Sequence, residues 1–161
     1  MRIAIDASNI LDGGGITHLT QLLSIYADRN EHTFVLLTAD AGPFKDYLRD
    51  NITVSIIEAF KGNVFKRNIW LWRSSKKWME DNNIDILFNP GGGYIGAFRP
   101  YVTMCRNMLI FQSDQRKLYG FSKTFFRLKI LEFVHNKSIK NASGTIFISE
   151  FAKKYVSKVK E

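Results

Sequence analysis

A single cysteine, Cys105, and three prolines are all that 161 residues contain of the residue types that staple or stiffen a chain. One cysteine excludes an intramolecular disulfide, which suits a reducing compartment. No apolar run approaches the ~20 residues that span a bilayer. Nor does a basic start lead into an apolar core and cleavage site, so no signal peptide is read. These absences point to a cytoplasmic protein and leave contact at the inner membrane face open. No repeat, low-complexity tract or linker divides the chain. One domain is therefore expected to about Ser149, followed by a helix over 150–161 that ends in a basic tail.

Other absences remove function classes. Without the G-x-x-x-x-G-K-[ST] sequence there is no P-loop chemistry. Helix-turn-helix, zinc-finger and RNP-like sequences are missing, so nucleic acid is not the expected partner. His18, His32 and His135 have no metal-ligand spacing with one another or with Cys105, and no metal site is expected. Ser8 and Ser149 lack a nucleophile-elbow context, which leaves hydrolase chemistry unsupported. Acid is also scarce: 15 Asp and Glu face 23 Lys and Arg, for a net charge of +8 that suits anionic partners.

What is present is a strong alternation. Apolar runs of strand length occur at Arg2–Asp6, Thr33–Thr38, 53–58, 84–89, 101–106 and 145–149, with helix-length segments between most of them. Ile16, Leu19, Leu22, Leu23 and Tyr26 share one helical face, which predicts a first crossover helix over 16–29. Strands apolar on both faces and alternating with helices predict an α/β fold: a doubly wound, Rossmann-like parallel sheet with helices on both sides. In such sheets ligands sit beyond the carboxyl ends of the strands. That rule gathers residues 7–16, 40–42, 89–96, 106–113 and 149–150 along one edge.

Two glycine runs fall on that edge. Gly13-Gly14-Gly15 stands between the first strand and the first helix, where backbone amides and a helix dipole can meet an anion. A dinucleotide fingerprint would require G-x-G-x-x-G, and His18 occupies its third position. Asp40 suits a ribose-binding acid or a turn equally well. The second run, Asn89-Pro90-Gly91-Gly92-Gly93, follows the fourth strand and reads either as a ligand approach or as a surface turn. Tyr94 beside it could stack on a sugar or simply pack.

Two segments carry much of the positive charge. No acid interrupts residues 61–79, where Lys61, Lys66, Arg67, Arg73, Lys76 and Lys77 are interleaved with Phe65, Ile69, Trp70, Trp72 and Trp78. Helical spacing places Phe65, Ile69, Trp72 and Met79 on one face, read as core, with Trp70 or Trp78 outside near solvent or anionic lipid. The second segment, 121–140, is apolar around nearly its whole circumference and is expected to pack on the sheet and on something else.

Taken in order, RIAIDASNI, GGGITHLTQLL, KRNIWLWRSSKKW, DILFNPGGG, RPYVTMCRNMLIF and GTIFISEFAKKYV resemble the amino-terminal half of two-lobed, GT-B type retaining glycosyltransferases, of the family 4 or group 1 kind. The resemblance covers essentially the whole chain. It implies an acceptor-side lobe whose first glycine loop, through Gly14, Gly15 and Ile16, approaches the diphosphate of a nucleotide-sugar donor. That donor is a substrate, and no separate cofactor is implied. Asn89, Gly92, Gly93, Arg106 and Asn107 would line the side of a glycan or lipid-linked acceptor. Many members have a His-Asp pair where this chain has Arg106-Asn107. Arg106 can pair with phosphate and Asn107 can hydrogen-bond a hydroxyl, but neither is a general base at neutral pH.

In that family most of the nucleotide-sugar site, with a characteristic pair of Glu residues, lies in a carboxyl-terminal lobe, which is expected to be absent from these 161 residues. A lone lobe is then expected to be inactive, or to act as one subunit of a split transferase with a partner lobe. A noncatalytic or remnant binding module and an NAD-binding oxidoreductase domain remain the competing readings.

Overall fold

The computed structural model describes residues 1–10, 12–27, 29 and 31–156. Six strands, β1 (Arg2–Asp6), β2 (Thr33–Thr38), β3 (Ile52–Ile56), β4 (Ile86–Asn89), β5 (Tyr101–Cys105) and β6 (Gly144–Phe147), form one sheet. Every neighbouring pair is parallel, in the order β3-β2-β1-β4-β5-β6. The predicted doubly wound α/β fold is therefore present, and the chain reverses its direction of winding between β1 and β4. The connections leaving the carboxyl ends of those two paired strands frame the crevice expected at such a switch point.

Alternation along each strand sorts the core into layers. Ile5, Phe34 and Leu36 meet Leu19 and Leu23 of α1 (Gly13–Tyr26) on one face. Ala4, Val35, Leu37 and Leu87 meet Leu71 of α2 (Val64–Arg73) and Met79 of α3 (Ser75–Asp81) on the other. A third cluster, including Cys105, Ile110, Leu128 and Ile139, seats α5 (Lys123–Asn141) near β5. The short α4 (Ser113–Lys117) is tied to α5 by Arg116, whose guanidinium is 2.6 Å from Glu132 and also donates to the Ile110 carbonyl. After β6 comes α6 (Glu150–Val156); the predicted continuation through 157–161 lies outside the described residues.

The helix boundaries differ from expectation in instructive ways. The first helix begins at Gly13 and ends at Tyr26, so the three glycines form its first turn rather than a loop ahead of it. The 61–79 segment is two helices that meet at Ser74. Its buried side runs through Leu71, Ser75 and Met79. Trp70 and Trp78 pack partly buried against the core, with Trp70 edge-on to Phe60 at 5.2 Å. Phe65 and Trp72, read from spacing as core, are 71% and 64% exposed. Only Met79 of that predicted quartet is fully buried, because the groove presented by the sheet accepts the Leu71–Met79 ridge.

On the α1 side, the sheet beyond β1 carries no covering helix among the described residues. Ile86, Phe88, Val102 and Ile146 line a shallow apolar depression there, and Ile146 is 44% exposed. Parallel sheets bury both faces.

Candidate functional site

At the β1–β4 crevice a cavity of about 780 Å³ opens over the carboxyl ends of the strands. Its floor begins where β1 stops. Asp6 is buried there and accepts a hydrogen bond from the Ser8 backbone at 3.0 Å, and the Ser8 carbonyl in turn lies 3.4 Å from the Arg67 guanidinium. Burial raises the Asp6 pKa, while the Ser8 hydrogen bonds and the Arg67 charge pull it back down. Arg67 enters from α2, and its buried Nε has no hydrogen-bond partner among the described residues.

The next wall is the amino end of α1. Asp12 occupies the cap position in an extended conformation and makes no side-chain cap, and the first turn contains no acid. The amides of Gly14 and Gly15 are thus left for a ligand. The Arg106 guanidinium lies against this turn: a Cβ added at Gly15 would come within 3.5 Å of it. Burial lowers the Arg106 pKa from its ordinary value, yet an arginine remains cationic. No carboxylate among the described residues is within ion-pair distance of Arg67, Arg106 or Arg127, a third arginine that reaches the cavity from α5. Asp12, also on the rim, pairs with none of them. Three guanidinium groups and the positive end of a helix dipole converge on one space without an ion pair among the described residues, although the buried Asp6 feels the Arg67 charge.

The residues expected from sequence divide into three groups. Gly14, Gly15, Arg106 and Asn107 line the cavity together. Asn107 has its carboxamide oxygen engaged with the Leu109 backbone at 3.1 Å, which starts the turn over Met108–Ile110. Gly93 lines a neighbouring groove. Ile16, Asn89 and Gly92 line neither. Ile16 packs partly buried against the α1 core. Asn89 is buried, and its Oδ1 accepts from the Gly91 backbone at 3.1 Å, shaping the turn after β4.

The glycines of that turn serve packing as well as access. Gly92 has φ +86°, and a Cβ there would meet His135 at 2.6 Å and the Met104 carbonyl at 3.0 Å. Tyr94 is core: it lies 4.8 Å from Tyr101, edge to face, with its hydroxyl 3.1 Å from Ser75. Asp40 makes an Asx turn, accepting from Gly42 at 2.9 Å, and lines neither space. Sequence reading did not single out Arg67, Arg127, Asn9 or His135 as site residues. Arg67 and Arg127 lie 39 and 21 positions from Arg106 and come near it only through the fold.

His135 lies at the back of the cavity, edge-on to Phe111 at 6.2 Å, with burial holding its pKa down to about 4. The imidazole is neutral at pH 7. The unfolded chain takes up this proton near pH 6.5, whereas the folded chain does so only near 4. Stability from this group is therefore complete above pH 6.5 and falls as pH drops through that window, by up to about 3 kcal/mol. The raised pKa of Asp6 acts in the opposite sense. Urea unfolding of the protein and of His135→Gln at several pH values isolates the histidine. The variant should show a flatter loss of stability between pH 6.5 and 4, and an unchanged slope would refute the assignment.

Comparison with protein-family models, curated proteins and solved structures finds no match.

Proposed function

We propose that this chain is the amino-terminal, acceptor-side lobe of a GT-B type glycosyltransferase that moves a sugar from a nucleotide-sugar to a glycan or lipid-linked acceptor. One observation carries the reading: the unpaired Arg106 guanidinium lies against Gly15 at the positive end of α1, beside a cavity at the sheet's switch point. Gly14 and Gly15 would donate their amides to the donor diphosphate, and Arg106 would balance the charge that grows on it as the sugar departs. Arg67 and Arg127 would hold the acceptor side. His135, neutral and buried, would shape the floor. His135, with its pKa held down to about 4 by burial, is a weak base, so positioning and charge stabilisation would dominate.

The described residues would form one wall of such a site. The open cavity and the uncovered β4–β6 face both support a second lobe, in the same polypeptide or another. Assayed by itself, this chain is expected to bind nucleoside diphosphate without transferring sugar.

A second reading rests on the sheet order, which is that of dinucleotide-binding domains. Calorimetric titration with uridine, guanosine and adenosine diphosphates, their sugar conjugates and NAD separates the two. Binding of at least one nucleoside diphosphate and its sugar conjugate, with NAD at least about tenfold weaker, supports the transferase lobe. Preferential NAD binding supports the oxidoreductase, and binding of none supports a degenerate cleft.

A further inference from the structure

The polar cavity continues sideways into a groove of about 670 Å³ between α2 and α5. Arg67 and Arg127 line both spaces and so stand at their junction. Beyond them the character of the wall changes. Val64, Ile95, Phe126, Ile130 and Val134 line the groove, with Lys123 the one further cation. Phe126 and Ile130 are 55% and 65% exposed, four residues apart on one side of α5. Cations without an ion pair among the described residues at one end and water-facing hydrocarbon at the other describe the complement of a molecule with an anionic head and an apolar tail.

We infer that the α2–α5 groove takes the hydrocarbon chain of a phosphate-bearing amphiphile whose head lies between Arg67 and Arg127. Resting on the transferase reading, this makes the acceptor a lipid phosphate in place of a soluble glycan. A glycan along this groove would set hydroxyls against Phe126, Ile130 and Val134, which offer no hydrogen bonds, whereas an alkyl chain removes that surface from water. The head has partners in waiting, because neither guanidinium has an ion pair among the described residues and both line the junction of the two spaces. A phosphate there would stand beside the α1 amino end and Arg106, next to the donor diphosphate.

The test is binding of the purified chain to dodecyl phosphate, inorganic phosphate and neutral dodecyl maltoside, each below its micellar concentration. Dodecyl phosphate should bind at least about tenfold more tightly than either comparator. Ile130→Glu and Arg127→Ala should each weaken it by about tenfold, and Ile130→Glu should leave binding of the nucleoside diphosphate that the chain takes unchanged. Phe133→Ser, on an exposed side chain outside the groove, should leave dodecyl phosphate binding intact.

Equal affinity for dodecyl maltoside would overturn the proposal. So would vesicle adsorption that depends on Phe133 without binding of monomeric dodecyl phosphate, which would assign the surface to a bilayer. Dimerisation abolished by Ile130→Glu, with no amphiphile bound, would give the groove to a second copy and overturn it equally. The two readings fail separately. Failure of uridine, guanosine and adenosine diphosphates alike to bind, with dodecyl phosphate still bound, contradicts the transferase site and leaves the groove standing, whereas the reverse removes only the lipid acceptor.

Discussion

Replacing Arg106 by alanine is expected to weaken nucleoside diphosphate binding by about 2–3 kcal/mol, roughly 30- to 150-fold. The size follows from where the guanidinium sits. It is partly buried, pressed against the first turn of α1, and unopposed by any carboxylate among the described residues. An incoming phosphate therefore meets a planar, charged donor at full strength, and removing that donor leaves only the helix amides and the more distant arginines. Arg106→Lys should fall between wild type and Arg106→Ala, because the charge survives while the two-pronged geometry does not. Thermal stability should not fall in either variant, since relief of like-charge crowding offsets the lost packing. A substantial fall in stability would instead make Arg106 a structural residue.

The second large effect concerns the fold under the site. Gly92→Ala forces a side chain into φ +86° and into overlap with His135 at 2.6 Å and the Met104 carbonyl at 3.0 Å. Backbone strain of about 1–2 kcal/mol adds to an overpacking cost of about 1–3 kcal/mol, for a loss of about 2–5 kcal/mol. The two parts can be separated with His135→Ala. In that background the imidazole contact is gone, but the strained φ and the Met104 contact remain, so Gly92→Ala should cost less than in the wild type. Chemical denaturation of the four proteins checks this, and strict additivity would contradict the packing account of the glycine turn.

The strands were readable because a parallel sheet buries both faces and leaves uninterrupted apolar runs such as TFVLLT, whose observed limits match the sequence expectation. Helix faces were harder. Spacing groups Phe65, Ile69 and Trp72, but it does not say whether that stripe or the opposite one meets the sheet. Leu71, Ser75 and Met79 won, since a small serine between two longer apolar side chains forms a ridge that packs closely. The amino end of α1 shifted too: three glycines read as a loop by propensity, yet α1 starts at Gly13, whose φ of +57° suits glycine, and runs on through Gly14 and Gly15 to Leu19 and Leu23, which pack on the sheet.

The site was half legible. Gly14, Gly15, Arg106 and Asn107 follow strand ends, where topology predicts ligands, and they do share one cavity. Arg67 and Arg127 come from helix interiors, where a cation among apolar residues reads as a solvated face. The long acid-free stretch around Arg67 was the available signal, because a ligand-facing cation must be kept from local carboxylates. His135 gave none, since its role depends on two glycines more than forty residues earlier that leave room for its ring.

The central claim is that the amino end of α1 and Arg106 together receive a diphosphate. Titrating uridine, guanosine and adenosine diphosphates into the isotope-labelled protein and following backbone amide shifts tests it directly. The account predicts that the largest shifts for the bound nucleotide fall on the amides of Gly14 and Gly15, and that they collapse in Arg106→Ala. Binding that leaves those two amides unmoved, or shifts that persist undiminished without Arg106, would contradict it.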